Sequence, residues 1–173
     1  TQDLVFVKGS NIDQKNLLNR VSRFLPEDWI KASNAGKPFK VVKADGRAYY
    51  AQHRNEMRLG NSPSTALHEL AHRIEAEIPD LHEKLLEFYD KRTEKDTLQR
   101  LKDITVLDYA DYEVTKVDRW SDPYIGRYYE YGGDRFATEI LSMGLEGLFF
   151  GKHGIWSKDP ELLKFIYGLV VSL

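Results

Sequence analysis

Residues 65–75 read TALHELAHRIE, a stretch in which two histidines four residues apart enclose a glutamate. Residues four apart on a helix project from the same side and rise about 6 Å together, so the imidazoles of His68 and His72 can converge on one ion. Glu69 is turned toward a water on that ion, where its carboxylate can accept a proton. The stretch therefore predicts a helix with two zinc ligands and one general base. An ordinary charged helix face is the alternative.

The composition is typical of one globular domain without disulfides. The chain has 173 residues, of which 42% are hydrophobic, and this suffices for a single core. It contains no cysteine, so any metal must be bound by nitrogen and oxygen atoms. The 25 basic and 27 acidic residues nearly cancel, and no apolar run is long enough to span a bilayer. We therefore expect neither nucleic acid nor a membrane as a partner.

The predicted motif helix has clear local boundaries. Ser62 is a candidate N-cap, and the helix should end before Pro79. Its apolar stripe, which should face the core, consists of Leu67, Leu70, Ala71, Ile74 and Ile78. Three charged side chains of this helix are expected to face solvent, namely Arg73, Glu75 and Glu77.

The rest of the chain reads as an α+β fold that is mostly helical. We expect a β-hairpin within residues 39–59 that turns at Asp45-Gly46 and leads into the motif helix. Further helices are predicted over 13–25, 81–92, 136–150 with Asp134 as N-cap, and 160–173. Short strands are predicted at 5–10 and within 104–118, and a tyrosine-rich loop at 120–133. Residues 1–173 are expected to form one domain that is a piece of a larger protein, because the chain starts without methionine.

A catalytic zinc needs a third protein ligand and an open position. Glu75 lies seven residues after the first histidine, about 10 Å along the helix axis, so it is badly placed. His82 and His153 have the sequence surroundings of plain surface histidines. Glu139 borders the apolar stripe of the helix predicted over 136–150, where a carboxylate is costly to bury without a partner. Glu139 is therefore the predicted third ligand, and an ion pair with Arg135 is the alternative.

Two further parts of a hydrolytic site can be predicted from the residues. Arg127 and Tyr128 follow the turn at Gly126 and are candidates to stabilise an oxyanion, with aromatic packing as the alternative for the tyrosine. The strand within 47–59 could pair with an extended peptide by edge addition, or could be an ordinary edge strand.

The HELAH stretch, together with a distant glutamate, resembles the gluzincin class of zinc metallopeptidases. The second motif of that class is a helical glutamate followed three residues later by a serine, and Glu139 and Ser142 match it. The class usually has an acidic residue four positions after the glutamate, which is the partner of the first histidine; here that position is Met143. More specifically, HELAHRIE, YIGRYYEYGGDRFATEILSMGLE and DPELLKFIYGLV are similar to a metallopeptidase-like domain of phage minor head or head-morphogenesis proteins, which also occurs as a fused effector domain. This resemblance covers the chain from about Pro26 onward.

The resemblance implies a zincin-like fold and a zinc-dependent hydrolase of peptide or amide bonds. It implies a polypeptide as substrate and the other domains of a parent polypeptide as partners. The parent would be virion-associated, or would be a bacterial cytoplasmic protein or an effector delivered to another cell. The alternative is a noncatalytic interaction or structural module that retains the fold.

Overall fold

The motif stretch lies in a helix, α3, that packs against four other helices and two strands. The computed structural model describes residues 2–172. Its helices are α1 (Ile12–Val21), α2 (Glu27–Ala35), α3 (Pro63–Glu77), α4 (Pro79–Arg92), α5 (Leu101–Ile104), α6 (Ile140–Phe150), α7 (Ile155–Lys158) and α8 (Pro160–Val171). Its strands are β1 (Lys40–Lys43), β2 (Tyr49–Ala51), β3 (Glu56–Leu59), β4 (Leu98–Arg100) and β5 (Val114–Lys116). The predicted α+β class is confirmed.

Helix α3 begins and ends where the sequence predicts. The hydroxyl of Ser62 accepts a hydrogen bond from the backbone N–H of Thr65 at 3.3 Å, and Pro79 starts the next helix. Four of the five predicted stripe residues have no solvent exposure, namely Leu67, Leu70, Ala71 and Ile74. Helices α1, α2, α4 and α6 all contact α3. The burial of this stripe among four helices fixes the direction in which the motif side chains point.

The sheet before α3 differs from the predicted hairpin. Strand β3 lies in the middle, with β1 parallel to it on one side and β2 antiparallel on the other. The antiparallel strands β2 and β3 are connected by a 3-10 turn at Gln52–Arg54, which is followed by Asn55 with a φ of 49°. Asparagine is one of the few residues that adopt this left-handed conformation readily. The chain does bend at Asp45-Gly46, between β1 and β2, but these two strands do not pair with each other. The paired hairpin forms one turn later, inside the predicted second strand, and β2 becomes an edge strand.

The remaining predictions of secondary structure are partly correct. The predicted first strand is reduced to a single bridge between Phe6 and Phe39, and residues 104–118 contain one strand, β5, which pairs with β4. Helix α8 begins at Pro160 as predicted, and Asp159 caps it, since its carboxylate accepts from the N–H of Leu162 at 3.1 Å. Within residues 2–172, no helix combines the length and the apolar character needed to cross a membrane.

The predicted start of α6 at Asp134 is wrong. Gly132 and Gly133 both have positive φ values, and this glycine pair makes a tight turn in which the N–H of Asp134 donates to the carbonyl of Tyr131. Helix α6 begins only at Ile140, so Glu139 occupies its N-cap position. The predicted third ligand thus lies at the end of a loop instead of inside a helix.

The prediction that Arg73 faces solvent is also wrong. Its side chain is 1% exposed, and its guanidinium donates to the carbonyl oxygens of Ser33 and Lys37 and to the amide oxygen of Asn55, the last at 2.6 Å. It also pairs with Glu77 at 3.2 Å. Helix α2 and the segment after it cover this side of α3, so a buried arginine joins α3 to the turn between β2 and β3.

Replacing Arg73 by alanine is expected to lower the free energy of unfolding by about 2–4 kcal/mol, because two buried carbonyl groups and one side-chain amide lose their donors. Urea unfolding of the metal-free wild type and variant measures this difference. Lys31→Ala is the matched control on α2, since the ion pairs of Lys31 with Glu27 and Asp28 are exposed and such pairs contribute little. An Arg73→Ala variant as stable as the control would contradict the structural role.

Candidate metal centre

Three donor atoms from α3 and from the start of α6 lie close together. The Nε2 atoms of His68 and His72 are 3.2 Å apart, and Oε2 of Glu139 is 3.3 Å from each of them. Ligand atoms of a tetrahedral zinc, with bonds of about 2.0–2.1 Å, are about 3.3 Å from one another. The three atoms therefore have the spacing of one face of a coordination tetrahedron, and the group could hold a metal ion.

The charges of the three side chains favour a cation between them. Burial alone would raise the pKa of Glu139, but His72 and His68 hold it well below its ordinary value. Burial alone would lower the pKa of each histidine, yet the hydrogen bonds and charge of Glu139 raise both, with Glu146 adding to the effect on His68. The buried carboxylate thus stabilises positive charge at the two imidazoles. A metal ion provides that charge in place of protons.

The carboxylate of Glu139 is oriented by two hydroxyl groups. Glu139 is 1% exposed; Ser142 donates to its Oε2 at 2.7 Å and Tyr129 donates to its Oε1 at 2.5 Å. The alternative partner, Arg135, instead pairs with Asp90 at 2.5 Å. The serine at the expected spacing thus contacts the predicted ligand, whereas the contribution of Tyr129 was not predicted.

Glu146 is a site residue that the sequence analysis did not identify. Its Oε2 lies 3.0 Å from Nδ1 of His68, and the hydroxyl of Ser64 donates to its Oε1. An Nδ1–H that donates to a carboxylate leaves Nε2 free for a metal. Met143, at the position where the gluzincin class has its acidic residue, is 3% exposed and belongs to the core. Glu146 follows Glu139 by seven residues, which is about two helical turns and places both on one face, and this spacing could have indicated it.

Glu69 lies near the three predicted ligands, and its carboxyl group has a raised pKa. Its side chain lines the same cleft as His68 and His72. Burial raises the pKa of Glu69 by more than the two histidines lower it. A carboxylate with a raised pKa binds a proton more readily near neutral pH, as general acid–base chemistry requires.

The cleft has a volume of about 1180 Å³ and two different walls. One wall is the edge strand β2 with the turn that follows it, and the other is the tyrosine-rich loop. The two histidines, Glu69 and Glu139 line the same cleft. The cleft is therefore large enough for several residues of an extended chain.

The structure brings one of the two predicted oxyanion residues to the cleft. Arg127 lines it, where its Nη1 lies 2.6 Å from Oε1 of Glu113 and its guanidinium lies 4.3 Å from the ring centre of Tyr129. Tyr128 lies outside the cleft, and its hydroxyl donates to Glu130 at 2.9 Å. Successive side chains of an extended segment point in opposite directions. Tyr129, and not Tyr128, therefore lines the cleft, with its hydroxyl bonded to Glu139.

Comparisons with protein-family models, curated proteins and solved structures find no match. Any proposal about function therefore depends on the residues of the site themselves.

The two histidines predicted to be ordinary surface residues are both bonded to carboxylates, with side chains only about a fifth exposed. His82 contacts Glu75 Oε1 at 2.9 Å and the carbonyl of Arg135 at 2.8 Å, and Glu75 itself is buried, contrary to prediction. His153 contacts Glu146 at 2.8 Å. Burial alone would lower the pKa of His153, but hydrogen bonds to Asp122 and Glu146 raise it to about 9.

Proposed function

We propose that this protein is a zinc-dependent hydrolase of peptide or amide bonds with a zincin-like fold. The observation that carries the proposal is the triangle of His68, His72 and Glu139 donor atoms, with Glu69 beside it in an open cleft. Two imidazoles and one carboxylate are a ligand set that catalytic zinc sites use, and it leaves a coordination position for water or substrate. The absence of cysteine from the chain agrees with this set.

Each site residue has a definite part in the proposed reaction. Zinc held by His68, His72 and Glu139 would supply an acidic water and polarise a carbonyl oxygen. Glu69 would accept the proton of the water that attacks the carbonyl carbon and return it to the leaving nitrogen as the C–N bond breaks. Arg127 on the opposite wall is the cation that can stabilise the oxyanion, whereas the hydroxyl proton of Tyr129 is donated to Glu139.

The cleft favours an extended polypeptide as substrate. Strand β2 is at the edge of its sheet, paired with β3 on one side only, and Tyr49, Tyr50 and Ala51 all line the cleft. A peptide can add to such an edge through main-chain hydrogen bonds. The resemblance to phage head and effector domains supports the same substrate class and a larger parent protein as carrier.

Removal of the metal tests the proposal directly. The purified protein is expected to bind about one zinc ion and to cleave members of an unbiased peptide library. Treatment with 1,10-phenanthroline should stop cleavage, and added zinc should restore it, because the attacking water loses its acidity without the metal. Cleavage that persists in metal-free protein would contradict the proposal. Stoichiometric zinc without cleavage of any peptide would favour the noncatalytic module.

A further inference from the structure

His153 has a backbone conformation that its side chain must maintain. Its φ is 60°, in the left-handed region, and it lies between Gly151 and Gly154, which are left-handed as well. Glycine adopts this region freely, whereas a residue with a Cβ atom does so at a cost and persists there when its surroundings hold it. Both ring nitrogens of His153 face carboxylates: Nε2 is 2.8 Å from Oε2 of Glu146 and Nδ1 is 3.5 Å from Oδ2 of Asp122.

The contact with Glu146 leads directly to a proposed metal ligand. The oxygen of Glu146 that faces His153 is the one that lies 3.0 Å from Nδ1 of His68. The other oxygen accepts from the hydroxyl of Ser64. Lys152 also faces this carboxylate, but its Nζ is 3.9 Å away and its side chain is half exposed. His153 is therefore the close cationic partner that holds Glu146 in place.

The contact with Asp122 leads to the opposite wall of the cleft. Asp122 caps the 3-10 turn Pro123–Gly126 by accepting from the N–H of Tyr124 at 2.9 Å. The hydroxyl of Tyr124 is 3.4 Å from that of Tyr129, which donates to Glu139 at 2.5 Å. Polar contacts thus connect His68 through His153 to Asp122, and the side chain of Tyr124 links Asp122 to Tyr129 and Glu139.

We propose that His153 is a positioning residue of the metal centre: it holds Glu146 against His68 and, through Asp122, joins the helix side of the site to the tyrosine-rich loop. The inference rests on the proposed metal site. His153 acts through Glu146 and touches none of the three ligands, so its effect is on the orientation of His68 and not on the reaction itself. Replacing a group that bonds directly to a metal ligand typically changes metal affinity by about tenfold to a hundredfold, and His153 holds such a group, Glu146.

Zinc affinity measured by competition with a chromophoric chelator tests this role. His153→Gln, which keeps one hydrogen-bond donor, is expected to bind zinc about tenfold more weakly than wild type, and His153→Ala, which keeps none, up to about a hundredfold more weakly. The visible spectrum of the cobalt-substituted protein should differ from that of wild type slightly in His153→Gln and more strongly in His153→Ala, because the orientation of His68 affects the ligand field of the metal. A cooperative thermal unfolding transition of each metal-free variant shows that the variant is folded. If His153→Ala does not fold, the zinc affinity of His153→Gln alone decides the test.

Two matched variants separate this role from general stabilisation. His82→Gln removes an imidazole of equal exposure that also bonds a buried glutamate, in this case Glu75 of α3. Lys152→Gln removes a charge next to His153. Both variants should leave zinc affinity within about twofold of wild type. Wild-type affinity in both His153 variants would overturn the inference and leave the proposed hydrolase intact. Zinc binding that depends on His153 in a protein that cleaves no peptide would support the inference and reject the hydrolase. If the wild-type protein binds no zinc, both the inference about His153 and the proposed hydrolase are wrong.

Discussion

Replacing Glu69 by glutamine is expected to lower the turnover of a cleavable peptide by roughly a hundredfold or more while zinc stays bound. Glutamine has nearly the shape of glutamate, so the buried position beside the ligands is kept. It cannot accept the proton of the attacking water, however. Turnover of a peptide selected from the library, together with elemental analysis of zinc in both proteins, measures the two quantities separately.

The matched control for Glu69 is Glu83→Gln, the same chemical change at an exposed position of α4. It should leave both zinc content and turnover unchanged. Equal turnover in wild type and Glu69→Gln would overturn the general-base role. If neither protein cleaves any peptide and the parent protein keeps its biological phenotype with the substitution, the noncatalytic module becomes the better proposal.

Replacing His72 by alanine is expected to weaken zinc binding by roughly a thousandfold or more, so that the purified variant contains almost no metal. The change leaves His68 and Glu139 as two ligands, too few to retain zinc tightly. Elemental analysis and chelator competition measure the loss. His53→Ala is the control, because His53 is an exposed histidine that also lines the cleft and should not affect affinity. Stoichiometric zinc in His72→Ala would show that the ligand assignment is wrong.

Features that depend on neighbouring residues in the chain could be predicted from the sequence. Helix α3 was predicted with its boundaries because a serine cap, a proline and the apolar spacing all act within a few residues. The grouping of His68 and His72 follows from the same helix geometry. Glu139 was predicted as a partner because a carboxylate next to an apolar stripe needs one, although its position at the N-cap of α6 was not.

Features that depend on distant segments could not be predicted. The parallel pairing of β1 with β3 arises from tertiary packing, and so does the burial of Arg73 under α2. The spacing of hydrophobic residues along a helix does not indicate which distant segment will bury a charged side chain. Residues 136–139 lie outside α6, contrary to prediction, and Asp134 is part of the turn formed by Gly132 and Gly133 instead of capping the helix. The spacing from Glu139 could have indicated Glu146 as a candidate, but its partner His68 lies 78 positions away, and Asp122, one partner of His153, lies 31 positions away.

The buried arginine on α3 has a consequence for how the cleft can move. Arg73 directly follows a proposed ligand and donates to Asn55, the left-handed residue just before β3, so an outward movement of the edge-strand wall would break a buried hydrogen bond next to His72. The opposite wall is attached to the same centre, because Tyr129 donates to Glu139 and Asp122 faces His153. A movement of either wall would therefore also displace contacts of the proposed metal centre.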